Sequence, residues 1–272
     1  MVKLCFSTIG CPDWSWDEII AAAHDFGMDG IEVRGVGKEI YAPKAAPFLP
    51  ENRESTMARL RAAGLCIPCL TTGLPVGDPN RSEAAAAECR DYIDLAAAIG
   101  TPYVRVMASD HPGPEPVDLD LALRVYQELC DYAAPKKVTP LIETNGQLAD
   151  SKRMLRFMQD TGRENAGVLW DVHHPWRFFG ETPDETISHL RKYIRHLHVK
   201  DSVRREDGSI EYRMMGRGDL PVFDCLRVFA DDFRTIFCSL EWVKRWNPDL
   251  TEPGIVFPHF AGYMQYFMKK FD

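Results

Sequence analysis

The sequence contains no run approaching the roughly 18 to 20 apolar residues of a membrane-crossing helix. Met1-Val2-Lys3-Leu4-Cys5-Phe6-Ser7 carries no apolar leader ending in small residues and reads as a strand, so a cytoplasmic protein with no membrane partner is expected. Positive charge is in deficit: 32 Lys and Arg stand against 40 Asp and Glu, for a net charge of −8. A polyanion needs a basic face, so a nucleic-acid partner is not expected. Cysteine is sparse, with eight in 272 residues and no secretory signal, and reduced thiols follow. Cys66-Ile67-Pro68-Cys69 has no second pair to complete a zinc ribbon. It lies in an apolar strand-like run rather than at a helix start, which argues against a thioredoxin-type redox motif. Low-complexity tracts, linkers and sequence repeats are absent, and a single domain over 1–272 is expected.

What is present is a soluble composition, 45% apolar and 26% charged, long enough to bury a core without staples. Strand-like and helix-like segments alternate throughout. Strands are expected at Leu4–Thr8, Ile31–Arg34, Cys66–Thr71, Tyr103–Met107, Thr139–Glu143, Gly167–Asp171, Ile194–Lys200 and Ile236–Trp242. The first helix has Ser15 as N-cap, Glu18 three residues on, apolar Ile19, Ile20, Ala23 and Phe26, and Gly27 as its stop. Further helices are expected at Glu51–Ala63, Arg81–Ile99, Leu119–Ala134, Asp150–Asp160, Asp184–Lys192, Pro221–Asp231 and Gly254–Phe271, with a polar loop over Asp201–Leu220. Eight units of roughly 34 residues with short, wholly apolar strands predict an α/β (β/α)8 barrel. A doubly wound sheet would need a glycine-rich phosphate turn after its first strand, and Gly10-Cys11-Pro12-Asp13 is not one.

A barrel of this kind works at the C-terminal ends of its strands. Those ends carry Glu32 and Arg34, then Arg105, Glu143, Asp171, His198 and Glu241. The last four close four consecutive strands, each after an apolar run. Three carboxylates converging on one axis cannot all stay ionised without a compensating cation. Arg or Lys could supply it; a divalent metal does so more naturally, with His198 as the nitrogen ligand. One imidazole with three carboxylates is a mostly hard set, suited first to Mn2+ and also to Mg2+, Co2+ or Zn2+. His196 shares the strand side of His198 but lies one layer deeper, where a supporting or packed histidine is expected. Glu32, Arg34 and Arg105 either touch substrate or form buried ion pairs.

Several motifs, in order, make the sequence resemble the xylose isomerase-like barrel superfamily, also called the sugar phosphate isomerase/epimerase or endonuclease IV-like family. They are Ser7-Thr8-Ile9-Gly10-Cys11-Pro12, Asp29-Gly30-Ile31-Glu32-Val33-Arg34, Glu143-Thr144-Asn145, Asp171-Val172-His173-His174-Pro175, His196-Leu197-His198-Val199-Lys200-Asp201, Gly216-Arg217-Gly218-Asp219 and Ser239-Leu240-Glu241-Trp242. By resemblance to the ketose 3-epimerases of that family, Glu143, Asp171, His198 and Glu241 bind one metal, and His174 and Arg204 bind substrate. Lys200-Asp201 departs from those epimerases and looks more like the inosose dehydratase and isomerase branches.

These residues imply an isomerase or epimerase of a sugar, keto-sugar or cyclitol. The metal would stabilise an enediolate while Glu143 and Glu241 pass the proton. A lyase acting on a keto-inositol or 3-keto-glycoside is the alternative. An abasic-site endonuclease would need more metal ligands and a basic face, and a non-catalytic sugar-binding protein would not need the full ligand set. Trp14 and Trp176 either stack on a sugar or pack, whereas Trp16 and Trp246 read as packing. Lys244 and Arg245 read as surface charges, and Gly216-x-Gly218 as shaping the long loop. The aromatic C-terminal run from Phe257 to Met268 packs on the barrel or forms a homo-oligomer contact. Four arginines, Arg204, Arg205, Arg213 and Arg217, crowd the Asp201–Leu220 loop and leave open whether the substrate carries a phosphate.

Overall fold

The computed structural model describes residues 2–229 and 236–269. Eight parallel strands pair in the order β2-β1-β10-β7-β6-β5-β4-β3. They are β1 (Val2–Ser7), β2 (Gly30–Glu32), β3 (Cys69–Pro75), β4 (Tyr103–Met107), β5 (Thr139–Glu143), β6 (Gly167–Asp171), β7 (Ile194–Val199) and β10 (Ile236–Leu240). Bridges Gly30↔Cys66 and Val33↔Leu70 join the two ends of the sheet, closing it into a (β/α)8 barrel. Helices α1 (Trp16–Asp25), α2 (Arg53–Ala62), α3 (Ser82–Ile99), α4 (Leu119–Ala133), α5 (Ser151–Thr161), α6 (Pro183–Leu190), α7 (Val222–Arg227) and α8 (Pro253–Met268) alternate with the strands.

Local chemistry sets these elements. In α1 the Ser15 hydroxyl accepts from the Glu18 amide at 3.3 Å, and the Glu18 carboxylate accepts from the Ser15 amide at 2.7 Å. That exchange satisfies two amides the first turn leaves open. Trp16, Ile19, Ile20 and Ala23 then face the barrel. Thr182 and Glu185 repeat the device at α6.

The main core lies between strands and helices. Inside the barrel, Cys69, Leu141 and Leu169 form a separate apolar cluster against Tyr103. Strand side chains repeat every two residues. Leu141, Leu169 and His196 therefore lie one layer below Glu143, Asp171 and His198; the two leucines form an apolar floor beneath the polar mouth, and His196 pairs there with Glu32.

Three segments differ from the sequence reading. The third strand starts at Cys69, three residues later than expected, and runs to Pro75 through an irregularity after Thr71. The supposed loop Asp201–Leu220 contains an antiparallel hairpin, β8 (Asp201–Arg204) with β9 (Ile210–Arg213). Its strands lie over the barrel mouth, partly in solvent, so they carry none of the continuous apolar pattern of the inner strands. Helix α7 ends at Arg227; Asp231 and Phe271, assigned to helices from sequence, lie outside the described residues. No helix among the described residues is long and apolar enough to cross a membrane.

The aromatic C-terminal run packs mostly inward. Phe257 stacks on Phe6 with ring centroids 4.1 Å apart, and Phe260, Met264 and Phe267 are buried. All eight cysteines are free thiols.

Candidate active site and metal centre

The barrel register brings strand ends to one height: Asp171 pairs with His198, and Ser239, two residues before Glu241, pairs with His198 from the other side. As a result Glu143, Asp171, His198 and Glu241 offer ligand atoms that all lie within 4.8 Å of one another. Nδ1 of His198 is 3.4 Å from an oxygen of Glu143, 3.4 Å from one of Glu241 and 4.0 Å from one of Asp171. It is fully buried, with no hydrogen-bond partner of its own. Nε2 of the same ring meets Glu32 at 2.8 Å, as does Nε2 of His196. Glu32 thus orients the imidazole from behind and leaves Nδ1 facing the three carboxylates. A buried, unpartnered nitrogen in the midst of carboxylate oxygens is a donor set that fits a divalent cation.

The same cluster holds a cation of the chain's own. The Lys200 ammonium is buried and hydrogen-bonded to both Asp171 and Glu241. Lys200 lies two residues beyond His198, on the same strand side. The spacing that groups His196 with His198 also places Lys200 on that side, a signal the sequence reading did not use; its pairing with Asp171 and Glu241 comes from the barrel register.

Charge decides which groups are ionised. Burial alone would raise the Glu143 carboxyl, but Arg105, donating to it at 2.7 Å, and His198 hold it well below the usual carboxylate range. Burial would likewise raise Glu32; its two histidine partners outweigh that and keep it ionised. Burial disfavours charge on His198, yet Glu32, Glu241 and Glu143 around it push the imidazole up. Burial of the Lys200 ammonium is outweighed by Asp171 and Glu241, so it stays charged. His174 is lowered by burial, with Asp171 opposing.

A cavity of about 570 Å³ opens above the cluster. Its wall includes Arg34, Arg105, Glu143, Asn145, His174, Lys200, Tyr212, Glu241 and Trp246. His174 is fixed by its Nδ1, 2.9 Å from the Thr144 carbonyl, and its Nε2 lies 3.6 Å from Asp171. Asn145 donates to the Ser109 carbonyl at 2.6 Å, which leaves its buried Oδ1 without a partner. A second cavity, of about 670 Å³, lies between the hairpin and the loop after β10 and shares Tyr212 and Asn247 with the first.

Of the sequence candidates, Glu143, Asp171, His198, Glu241, His174, Arg34 and Arg105 are brought together here. Glu32 is near but supports from beneath, with no exposure. Arg204 is not brought in: it is exposed and donates to the Arg177 carbonyl at 2.6 Å and the Gly208 carbonyl at 3.3 Å. Trp14 packs edge-on against Phe257, and Trp176 lies half-buried against the core; neither lines the cavity. Trp16 packs against Phe48. Trp246, read as packing, is instead 59% exposed on the cavity rim, because the loop after β10 turns it outward. Lys244, read as a surface charge, is buried and donates to the Pro248 and Leu250 carbonyls at 2.9 and 2.7 Å. Arg245 is half-buried and bonds the Gly37 carbonyl. Tyr212 reaches the site from the hairpin, and no local pattern signalled it.

This is a (β/α)8 barrel with an acidic, histidine-backed cluster at its mouth. The sequence model of the xylose isomerase-like TIM barrel matches residues 20–257, and the chain belongs to that family. No curated protein matches it by sequence. Solved structures share the fold at low identity. The probable 3-DHS dehydratase AsbF, involved in petrobactin synthesis in Bacillus anthracis, is 18% identical with a TM-score of 0.79, over 97% of this chain and 98% of its own. D-psicose 3-epimerase with D-tagatose, from Clostridium cellulolyticum H10, is 15% identical with a TM-score of 0.76, over 99% of each chain. The IolI protein with a bound zinc atom is 13% identical with a TM-score of 0.79, over 99% of each chain.

Proposed function

We propose that this chain is a divalent-metal-dependent isomerase or epimerase of a sugar, keto-sugar or cyclitol, with Glu143 and Glu241 as its acid–base pair. The observation that carries this reading is the convergence of Glu143, Asp171, His198 and Glu241 on one point of the cavity wall, with the unpartnered Nδ1 of His198 among their oxygens. These four residues would hold the ion, Mn2+ in our reading, with Mg2+, Co2+ and Zn2+ compatible with the same donors. When bound, the cation would draw electron density from a substrate carbonyl oxygen and acidify the neighbouring carbon-bound proton.

The chain's own residues supply the proton movements. Glu143 is held ionised by Arg105 and is the base that takes the carbon-bound proton. Glu241, reaching in from the end of β10, returns a proton. Delivery to the other face of the same carbon inverts it; delivery to the neighbouring carbon isomerises the sugar. His174 and Asn145 offer a ring nitrogen and an amide oxygen to substrate hydroxyls, and Tyr212 and Trp246 cover the mouth. The 3-epimerase among the structures of like fold supports this reading.

One observation favours a lyase as the second reading. The Lys200 ammonium lines the cavity against Glu241, where it can protonate a departing hydroxyl after the same proton abstraction. A dehydratase of like fold agrees with it.

Both readings are tested by incubating the Mn2+-loaded protein in D2O with ketoses, inososes and 3-keto-glycosides. Deuterium incorporated at a substrate carbon is expected, and the product separates isomerase from lyase. Glu143→Gln and Glu241→Gln should each lower turnover by about 100-fold or more. Near-full activity in either variant removes the two-base assignment.

A further inference from the structure

Most cations around the barrel mouth are matched by carboxylates. Arg105 pairs with Glu143, Lys200 with Asp171 and Glu241, Arg205 and Arg213 with Glu211, and Arg177 with Asp219. Arg204, Arg217 and Arg245 also lack a carboxylate partner among the described residues, but the first two are exposed and the third is half-buried outside the cavity above the cluster; Arg34 is the unpaired cation that is buried in that cavity's wall. It follows β2, is 9% exposed and lines the cavity, yet among the described residues no carboxylate lies within ion-pair distance of it. Its Nη1 donates to the Ile40 carbonyl at 2.9 Å and the Tyr92 hydroxyl at 3.3 Å, both uncharged. Nη2 reaches the backbone of Gly73, where a Cβ would overlap it. Gly73 lines the same cavity, so the missing side chain at that position is what admits the guanidinium. The nearest opposite charge, buried Glu88, accepts from the Gly73 amide at 2.7 Å and acts on Arg34 only from beyond ion-pair distance. A buried cation whose direct hydrogen-bond partners are all neutral is costly, and an anion arriving in the cavity would lower that cost. Arg105 adds to the same wall, with a buried Nε that has no acceptor.

At the opposite end of the mouth the loop amides are already taken, although Arg205, Arg213 and Arg217 line the second cavity there. Loop amides after β7 would be the usual anion cradle of such a barrel. Here the Asp201 carboxylate fills it, accepting from Gly216 at 2.9 Å, Gly218 at 2.8 Å and Ser202 at 2.8 Å. Those three amides are therefore not available to a phosphate, and the unpaired buried charge at Arg34 is a single one.

We infer that the cavity takes a substrate bearing a carboxylate, a sugar acid or cyclic keto acid, with its carboxylate on Arg34 and its carbonyl end toward Glu143 and Glu241. The assignment rests on the isomerase or lyase reading above and names the substrate class for it. A guanidinium meets a carboxylate through two parallel hydrogen bonds, which binds more strongly than contacts to hydroxyls.

The test is calorimetric binding to the Mn2+-loaded protein of matched pairs: D-fructuronate against D-fructose, D-glucuronate against D-glucose, with D-fructose 6-phosphate as a third arm. At least one acid should bind about tenfold or more tightly than its neutral partner. In Arg34→Gln that ratio should fall toward 1, and Arg34→Lys should restore only part of it. Equal affinity of acids and neutral sugars, no binding of either acid at 50 mM, tighter binding of the phosphate, or a preference that survives Arg34→Gln overturns the proposal. The comparison within the native protein decides the matter even where the variants fail to fold. Failure of the catalytic reading is separate. Acids that bind through Arg34 but never exchange deuterium leave the subsite standing and remove the reaction; neutral sugars that exchange while acids do not bind do the reverse.

Discussion

At the scale of single residues, the distinction is between groups that face the cavity and groups that hold them in place. Glu32 has no exposure and touches neither cavity nor solvent, yet it accepts from both His196 and His198. Its effect is to set which nitrogen of His198 points at the carboxylates. Glu32→Gln should therefore weaken Mn2+ binding by about 10- to 100-fold in a calorimetric titration, with the four ligands intact. Tyr92 has a similar role for Arg34. Burial raises its hydroxyl to about 12, against an ordinary value of 10.0. The stabilisation this represents is complete below pH 10 and is lost as pH climbs toward 12, because the unfolded chain ionises first. Between pH 9 and pH 11.5 the native protein should lose about 2 kcal/mol more than Tyr92→Phe, read from urea midpoints at the two values. The carboxylates and His198 were legible as candidates because each ends an apolar strand. The direction of Arg204 was not, since its guanidinium could reach either the site or nearby carbonyls, and it takes the carbonyls.

At the scale of elements, local signals served well wherever an element makes its own boundary. Ser15 and Glu18 mark the start of α1 by their mutual hydrogen bonds, and the structure has both. The β8–β9 hairpin behaves differently. It is anchored by Asp201, whose carboxylate gathers amides up to nineteen residues away, including Leu220 at 3.3 Å. Gly218 is tied to this arrangement, because a Cβ there would overlap the Asp201 carboxylate. Gly218→Ala should release the segment and increase its cleavage in limited proteolysis within 201–220; an unchanged digestion pattern would mean the cradle is not what holds it. Polar residues in alternation on a strip over the barrel mouth leave no pattern distinct from a loop, which is why the hairpin escapes a reading of the sequence.

At the scale of the molecule, closure of the sheet is what turns eight strand ends into one site. An ion bound by the native barrel and not by the unfolded chain stabilises it by about 2.7 kcal/mol at a hundredfold excess over Kd. In a chain of this size that corresponds to roughly 5 to 10 °C in Tm. Chelator-treated protein should melt lower by about that amount and recover with Mn2+; an unchanged Tm would argue against the centre. The order of the eight barrel strands and their helices, the barrel class and the four strand-end candidates were legible in the sequence, because apolar period and capping chemistry act over a few residues and a strand end is recognisable where it stands. Only the tertiary structure decided that Glu32 backs His198, that Lys200 sits between Asp171 and Glu241, and that Arg34 faces the cavity without a carboxylate. Those relations join residues as many as 166 positions apart. They depend on barrel register and on the space left at Gly73, quantities that exist only once the sheet has closed.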